Sequence, residues 1–180
     1  MSSSKEPPSP KVRRLVVVRH AKSDWPAGVA DQDRPLGRRG VRDAAAAGRW
    51  LVEHGTTPDL VWCSPVRRTR ETWDALGAGL GDSPALEVRF DDRVYDASLR
   101  DLLSVLRDTP DKRACVLLLG HNPGVQNLVL ALAERGSEEA RSLAAAKFPT
   151  SALAVLDLEV AWSAIAPGCG VLSSFAVPRG

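Results

Sequence analysis

The stretch LVVVRH, Leu15–His20, decides the fold of this chain. Four apolar, mostly β-branched residues in a row, with no polar alternation, read as a strand buried on both faces. Such strands belong to parallel sheets covered by helices. The strand ends on Arg19 and His20, and the next twenty residues are polar and punctuated by Pro and Gly, so the apolar run delivers two functional side chains to its carboxyl end.

Outward from this strand the chain alternates. Val41, Ala44, Ala45, Gly48, Leu51 and Val52 recur at helical spacing and stop at His54-Gly55. Leu60–Cys63 is a second apolar strand. Ser64-Pro65 after it reads as a helix start, with the helix running to about Leu76 before a Gly-rich turn, GAGLGDSP. Leu86–Phe90 reads as a short strand, and Ser98 with Asp101 as a capping box opening the helix Leu99–Arg107. Ala114–Leu119 is the plainest core strand. Asn122 is the expected N-cap and Pro123 the first turn of a helix stopping at Gly136, and Ala152–Glu159 and Gly170–Val177 are late strands. Strands alternating with helices give an α/β class, a three-layer α/β/α sandwich on a mostly parallel central sheet. Residues 1–11 read as a disordered, Ser/Pro-rich tail and 12–180 as one domain.

Composition narrows the function. An apolar share of 44%, a charged share of 26% and a net charge of +2 fit a soluble globular protein and give no argument for nucleic-acid or membrane partners. No targeting segment or spanning apolar run is visible, and three widely spaced cysteines (Cys63, Cys115, Cys169) suit reduced thiols, so the expectation is a cytoplasmic protein. The five Trp residues read as core, with Trp25 the exception because it lies beside the first motif. His54, ahead of a helix-ending Gly, reads as structural.

In open parallel sheets, ligands bind beyond the carboxyl ends of the strands. Three strands here end in Arg19-His20, in Ser64 with Arg68 one turn on, and in Gly120-His121. Two imidazoles, two guanidinium forks and two helix N-termini at one edge suit a phosphate dianion. Other phosphate chemistries do not match. There is no G-x-x-x-x-G-K-[ST] loop, and six residues after Cys63 stands Thr69, not the Arg of a cysteine phosphatase. Three His without ligand spacing do not suggest a metal site. A histidine nucleophile remains.

The motifs carry a resemblance. VVVRHAKSDW, SPVRRTRET and LLLGHNPG are similar to the signature segments of the histidine phosphatase (phosphoglycerate-mutase-like) superfamily, over about residues 13–177. RHAKS, RPL…RG, VYDAS and GHNPG together resemble its SixA-type phosphohistidine phosphatases. The resemblance implies His20 as nucleophile, Arg19, Arg68 and His121 as charge-stabilising partners, and no cofactor; Arg67 is a weaker candidate than Arg68. Lys22, Ser23, Arg34 and Asn122 are candidate substrate contacts. Ala21 stands where many members have Gly, and Gly37 where relatives tend to have a Ser or Thr cap. The general acid is open: Asp92 aligns best, Asp96 is its rival, and a phosphohistidine substrate needs none as strongly, since imidazole protonates near neutral pH. Expected partners are a phosphohistidine protein or a small phosphorylated molecule. The rival readings are a small-molecule phosphomonoesterase and a phosphate-binding module without turnover.

Overall fold

A computed structural model describes residues 12–81 and 86–180; the proposed tail and part of the GAGLGDSP turn lie outside the described residues. The elements are β1 (Arg13–Arg19), α1 (Arg38–Glu53), β2 (Leu60–Cys63), α2 (Arg67–Leu80), β3 (Glu87–Phe90), α3 (Leu99–Arg107), β4 (Cys115–Gly120), α4 (Gly124–Leu132), β5 (Ala133–Gly136), α5 (Glu138–Ala146), β6 (Leu153–Leu158) and β7 (Gly170–Ala176). Seven strands form one sheet in the order β3-β2-β4-β1-β6-β7-β5. Only β6 runs against its neighbours, so the sheet is mostly parallel, as its apolar strands predict.

The alternation of side chains along β1 divides the core. Val16 and Val18 pack with Ala47, Leu51 and Leu76 under α1 and α2. Leu15 and Val17 pack with Leu102, Leu106, Val125 and Leu128 under α3 and α4. These are the three layers. None of the helices described is long and apolar enough to cross a membrane.

Register then positions the site. β1 and β4 are parallel partners with Arg19 opposite Gly120, and Cys63 of β2 is opposite Leu119. His20, His121 and Ser64 each follow immediately, at one edge of the sheet. The His20 amide donates to the Gly120 carbonyl and the Ser64 amide to that of Leu119, extending the ladder past the strands.

Several boundaries differ from the sequence expectations. The Ser98–Asp101 capping box forms as expected. Ser64 caps nothing: α2 begins at Arg67 behind Val66, which supplies no side-chain cap. Asn122 does not cap α4 either, since its amide donates to Gln126 and to the Phe148 carbonyl. α4 stops at Leu132, and Ala133–Gly136 turns into an edge strand beside β7. The apolar run Leu128–Ala133 could not show this, because it fits both states. α5, capped by Ser137, was not anticipated.

α2 runs through Gly77 and Gly79 where a turn was expected, and the cause is close helix contact. A Cβ on Gly48 would lie 2.1 Å from the Leu76 carbonyl oxygen, and one on Gly79 would lie 2.2 Å from that of Ala45. The two backbones meet with no side chain between them. Gly79→Ala gains helix propensity but forces these backbones apart, so it should lower the unfolding free energy by about 1–3 kcal/mol. Urea denaturation measures this; an unchanged or higher midpoint would refute the account.

Candidate active site

His20 is 8% exposed at the end of β1, and its Nδ1 lies 2.8 Å from the Ala21 carbonyl oxygen. A carbonyl only accepts, so the neutral ring carries its proton on Nδ1 and keeps its lone pair on Nε2. Burial, joined by the guanidinium charges of Arg68, Arg19 and Arg34, pulls the pKa down to about 4 against the opposing effect of the Ala21 bond. At neutral pH this imidazole is unprotonated and able to attack.

His121 lies across the site, its ring centroid 5.1 Å from that of His20. Its Nε2 is 2.8 Å from Ser64 Oγ and its Nδ1 is 3.4 Å from an Arg68 nitrogen. Burial, then the charges of His20 and Arg68, lower it to about 3. A guanidinium only donates, so Nδ1 accepts from Arg68 and the neutral ring donates from Nε2 to the fully buried Ser64 hydroxyl.

Arg68 is 5% exposed. It donates to the Asp31 carbonyl at 2.6 Å and to Asp31 Oδ2 at 3.0 Å. Arg19 donates to the Phe148 carbonyl at 2.9 Å, the same oxygen that receives Asn122. The Nε atoms of Arg19 and Arg68 are buried without a partner among the described residues, two donors that a phosphoryl oxygen would satisfy. Arg67 points outward to Glu71 and the Asp33 carbonyl, so of the two neighbouring guanidiniums the structure brings Arg68 to the histidines.

Arg34 and Ser23 join through each other: Arg34 donates to Ser23 Oγ at 2.6 Å, to Asp31 Oδ1 at 3.1 Å and to the Asp24 carbonyl. Lys22 is exposed, and its carbonyl receives the Gly37 amide. A Cβ on Gly37 would meet only the exposed Asp24 carboxylate, at 2.5 Å. Asp92 is exposed in a groove with Pro65, Arg67 and Gln32, a groove that neither imidazole lines. Asp96 is exposed at a left-handed φ of 48°.

Two residues of the site escaped the sequence reading, and a third was read incompletely. Asp31 receives Arg68, Arg34 and the Tyr95 hydroxyl at 2.8 Å. Partial burial works against its ionisation, but Tyr95, Arg34 and Arg68 outweigh it and hold the carboxyl at about 2. The i,i+3 spacing of Asp31 and Arg34 was the available signal. Tyr95 stands edge-on to His121, at 5.5 Å between centroids. Ser64 was read as a strand end and helix cap, without its bond to His121. The cysteines take no part: burial pushes the Cys63 thiol up to about 12.

Residues 15–112 match the histidine phosphatase superfamily (branch 1). The chain belongs to that superfamily. An uncharacterized protein of Mycobacterium tuberculosis is 38% identical over 164 residues, covering 90% of this chain and 100% of that one. A 2,3-bisphosphoglycerate-dependent phosphoglycerate mutase of Methylorubrum extorquens is 29% identical over 104 residues, 56% of this chain and 49% of the mutase. Among solved structures, a protein named as phosphohistidine phosphatase SixA from Nakamurella multipartitia superposes with a TM-score of 0.83 at 31% identity, covering 94% of this chain and 98% of its own. Another so named, from Agrobacterium tumefaciens, gives 0.75 at 28% identity over 92% and 99%. This histidine phosphatase has the phosphoglycerate-mutase-like fold.

The buried neutral imidazoles link stability to pH. The unfolded chain binds a proton at each histidine near 6.5, whereas the folded protein does so only near 4 at His20 and 3 at His121. Stability is therefore complete above about pH 7 and falls as pH drops through 6.5 toward those values. Between pH 7 and 4.5 the wild type should lose about 2–3 kcal/mol more unfolding free energy than His20→Asn. Denaturant titrations at both pH values test this, and identical pH slopes would contradict it.

Proposed function

We propose that this chain is a cytoplasmic SixA-like phosphatase that removes the phosphoryl group from phosphohistidine in a protein, through a phosphohistidine intermediate on His20. The observation that carries the reading is the Nδ1 bond of His20 to the Ala21 carbonyl, which leaves Nε2 as the free lone pair amid Arg19, Arg68 and His121. It needs no cofactor.

In the first step Nε2 of His20 attacks phosphorus, the bond from phosphorus to the substrate nitrogen breaks, and the leaving imidazole takes a proton from solvent. Arg19 and Arg68 donate to the equatorial oxygens, and His121, accepting from Arg68 at Nδ1 and donating to Ser64 from Nε2, holds that guanidinium against the developing charge. In the second step water attacks the phosphorus, the bond to Nε2 breaks, and the proton of water leaves with phosphate. His20 keeps its Nδ1 proton throughout.

The carboxylates favour this substrate class. Asp31 is ionised at working pH and cannot give up a proton, and Asp92 lies in a groove that neither imidazole lines. An alkoxide leaving group needs a positioned acid; imidazole does so far less. Asp92 in its groove would supply that acid only to a phosphomonoester reaching past Pro65, which is the second reading.

Purified protein without added metal should release phosphate from a phosphohistidine peptide faster than from 3-phosphoglycerate. His20→Ala should reduce release by more than about 10³-fold. Equal release by both proteins would overturn the nucleophile; preference for the phosphomonoester, lost in Asp92→Asn, would establish the second reading; phosphate binding without turnover would make the chain a binding module.

Ser64→Ala should lower kcat about tenfold with little change in KM, the rate equivalent of one neutral hydrogen bond. The acid limb of kcat/KM should lie near pH 4 in the wild type, following His20. A limb near 6.5 would show that burial does not control the nucleophile.

A further inference from the structure

Among the described residues Trp25 is the most exposed large apolar side chain, at 73%. A tryptophan left in water forgoes the largest apolar burial any side chain offers, so its position asks for a reason. The ring is not loose. The Arg34 guanidinium lies over one face, 3.3 Å from the ring centroid, and Arg34 is itself 8% exposed and held by Ser23, Asp24 and Asp31. The backbone leading into it is pinned: the Asp24 amide donates to the Pro35 carbonyl, and Ser23 bridges to Leu36. One face of a fixed indole is thus stacked on a buried cation, and the other is open to solvent.

This platform stands beside the candidate site. Trp25 is five residues from His20, and the guanidinium beneath it is near enough to lower the His20 pKa. Arg34 shares the Asp31 carboxylate with Arg68. His20 is almost buried, so a phosphorylated side chain must reach in while the chain bearing it crosses the rim. With Arg34 already on one face, a second cation on the other would be repelled, and a planar uncharged group is favoured.

We propose that Trp25 is a specificity-determining residue whose open face stacks on an aromatic ring beside the phosphohistidine in a protein substrate. The proposal rests on the phosphohistidine-protein reading of the same site. It gives the enzyme a handle on the polypeptide beyond the phosphoryl group, which alone would bind free phosphoramidate equally well.

The test compares Trp25→Ala and Trp25→Phe with the wild type on two phosphoryl donors: a short peptide carrying phosphohistidine beside an aromatic residue, and phosphoramidate, which has no flanking chain. Trp25→Ala should lower the ratio of kcat/KM for peptide to that for phosphoramidate about tenfold, through KM, and Trp25→Phe should restore most of it. An unchanged ratio overturns the proposal. So does an equal fall on both donors, which would mean that Trp25 only props Arg34. A wild type that hydrolyses phosphoramidate and leaves the peptide intact overturns the phosphohistidine-protein reading itself, and Trp25 recognition with it.

Discussion

The parallel pairing of β1 with β4, Arg19 opposite Gly120, is the constraint on which the rest of the site depends. Side chains in a sheet alternate faces, so a slip of one residue would turn His20 away from His121 and move Val16 and Val18 out of the layer under α1 and α2. The apolar pattern that builds the core therefore also fixes the spacing of the two imidazoles. Stability and chemistry are set by the same hydrogen-bond ladder, and every other group is hung from it: Ser64 from β2, Arg68 from the first turn of α2, Arg34 from the loop that returns along Leu36.

Much of this was legible because the decisive strands are apolar runs that stop abruptly at polar residues. β1, β2 and β4 could be placed within a residue or two, and the order of their terminal residues gave His20, Arg68 and His121 as one cluster. What stayed hidden depends on contacts between distant segments. Gly77 and Gly79 look like a turn in one dimension, yet both are helical, and Gly79 lies against Gly48 of the neighbouring helix. Ala133–Gly136 looks helical but is claimed by β7. Asp31 could not be distinguished from Asp33 by type; only the fold shows which carboxylate meets Arg68.

The electrostatics of the site follow from a balance between burial and cations. Two histidines stay neutral because water is excluded and guanidiniums surround them. The same guanidiniums would repel one another without a counter-charge, and Asp31 supplies it, bridging Arg34 and Arg68. That carboxylate is kept ionised by the groups it neutralises, which removes it from proton transfer and leaves it a purely electrostatic part.

The contact between α1 and α2 has a consequence for how the chain can vary. A Cβ on Gly40, at the start of α1, would lie 2.2 Å from the Lys22 carbonyl oxygen just beyond His20, and α2 carries Arg68 in its first turn. With Gly48 and Gly79 clamping the two helices, the gap between the loop after His20 and the Arg68 guanidinium is gauged largely by main chain resting on main chain. One buried side chain adds to that gauge: the Thr72 hydroxyl accepts from the Ala21 amide and donates to the Arg68 carbonyl. The outward residues of both helices can drift freely in size and charge without altering the dimension of the site, whereas hydrogen atoms at three glycines hold it. A tolerance is set here by what is missing from the sequence.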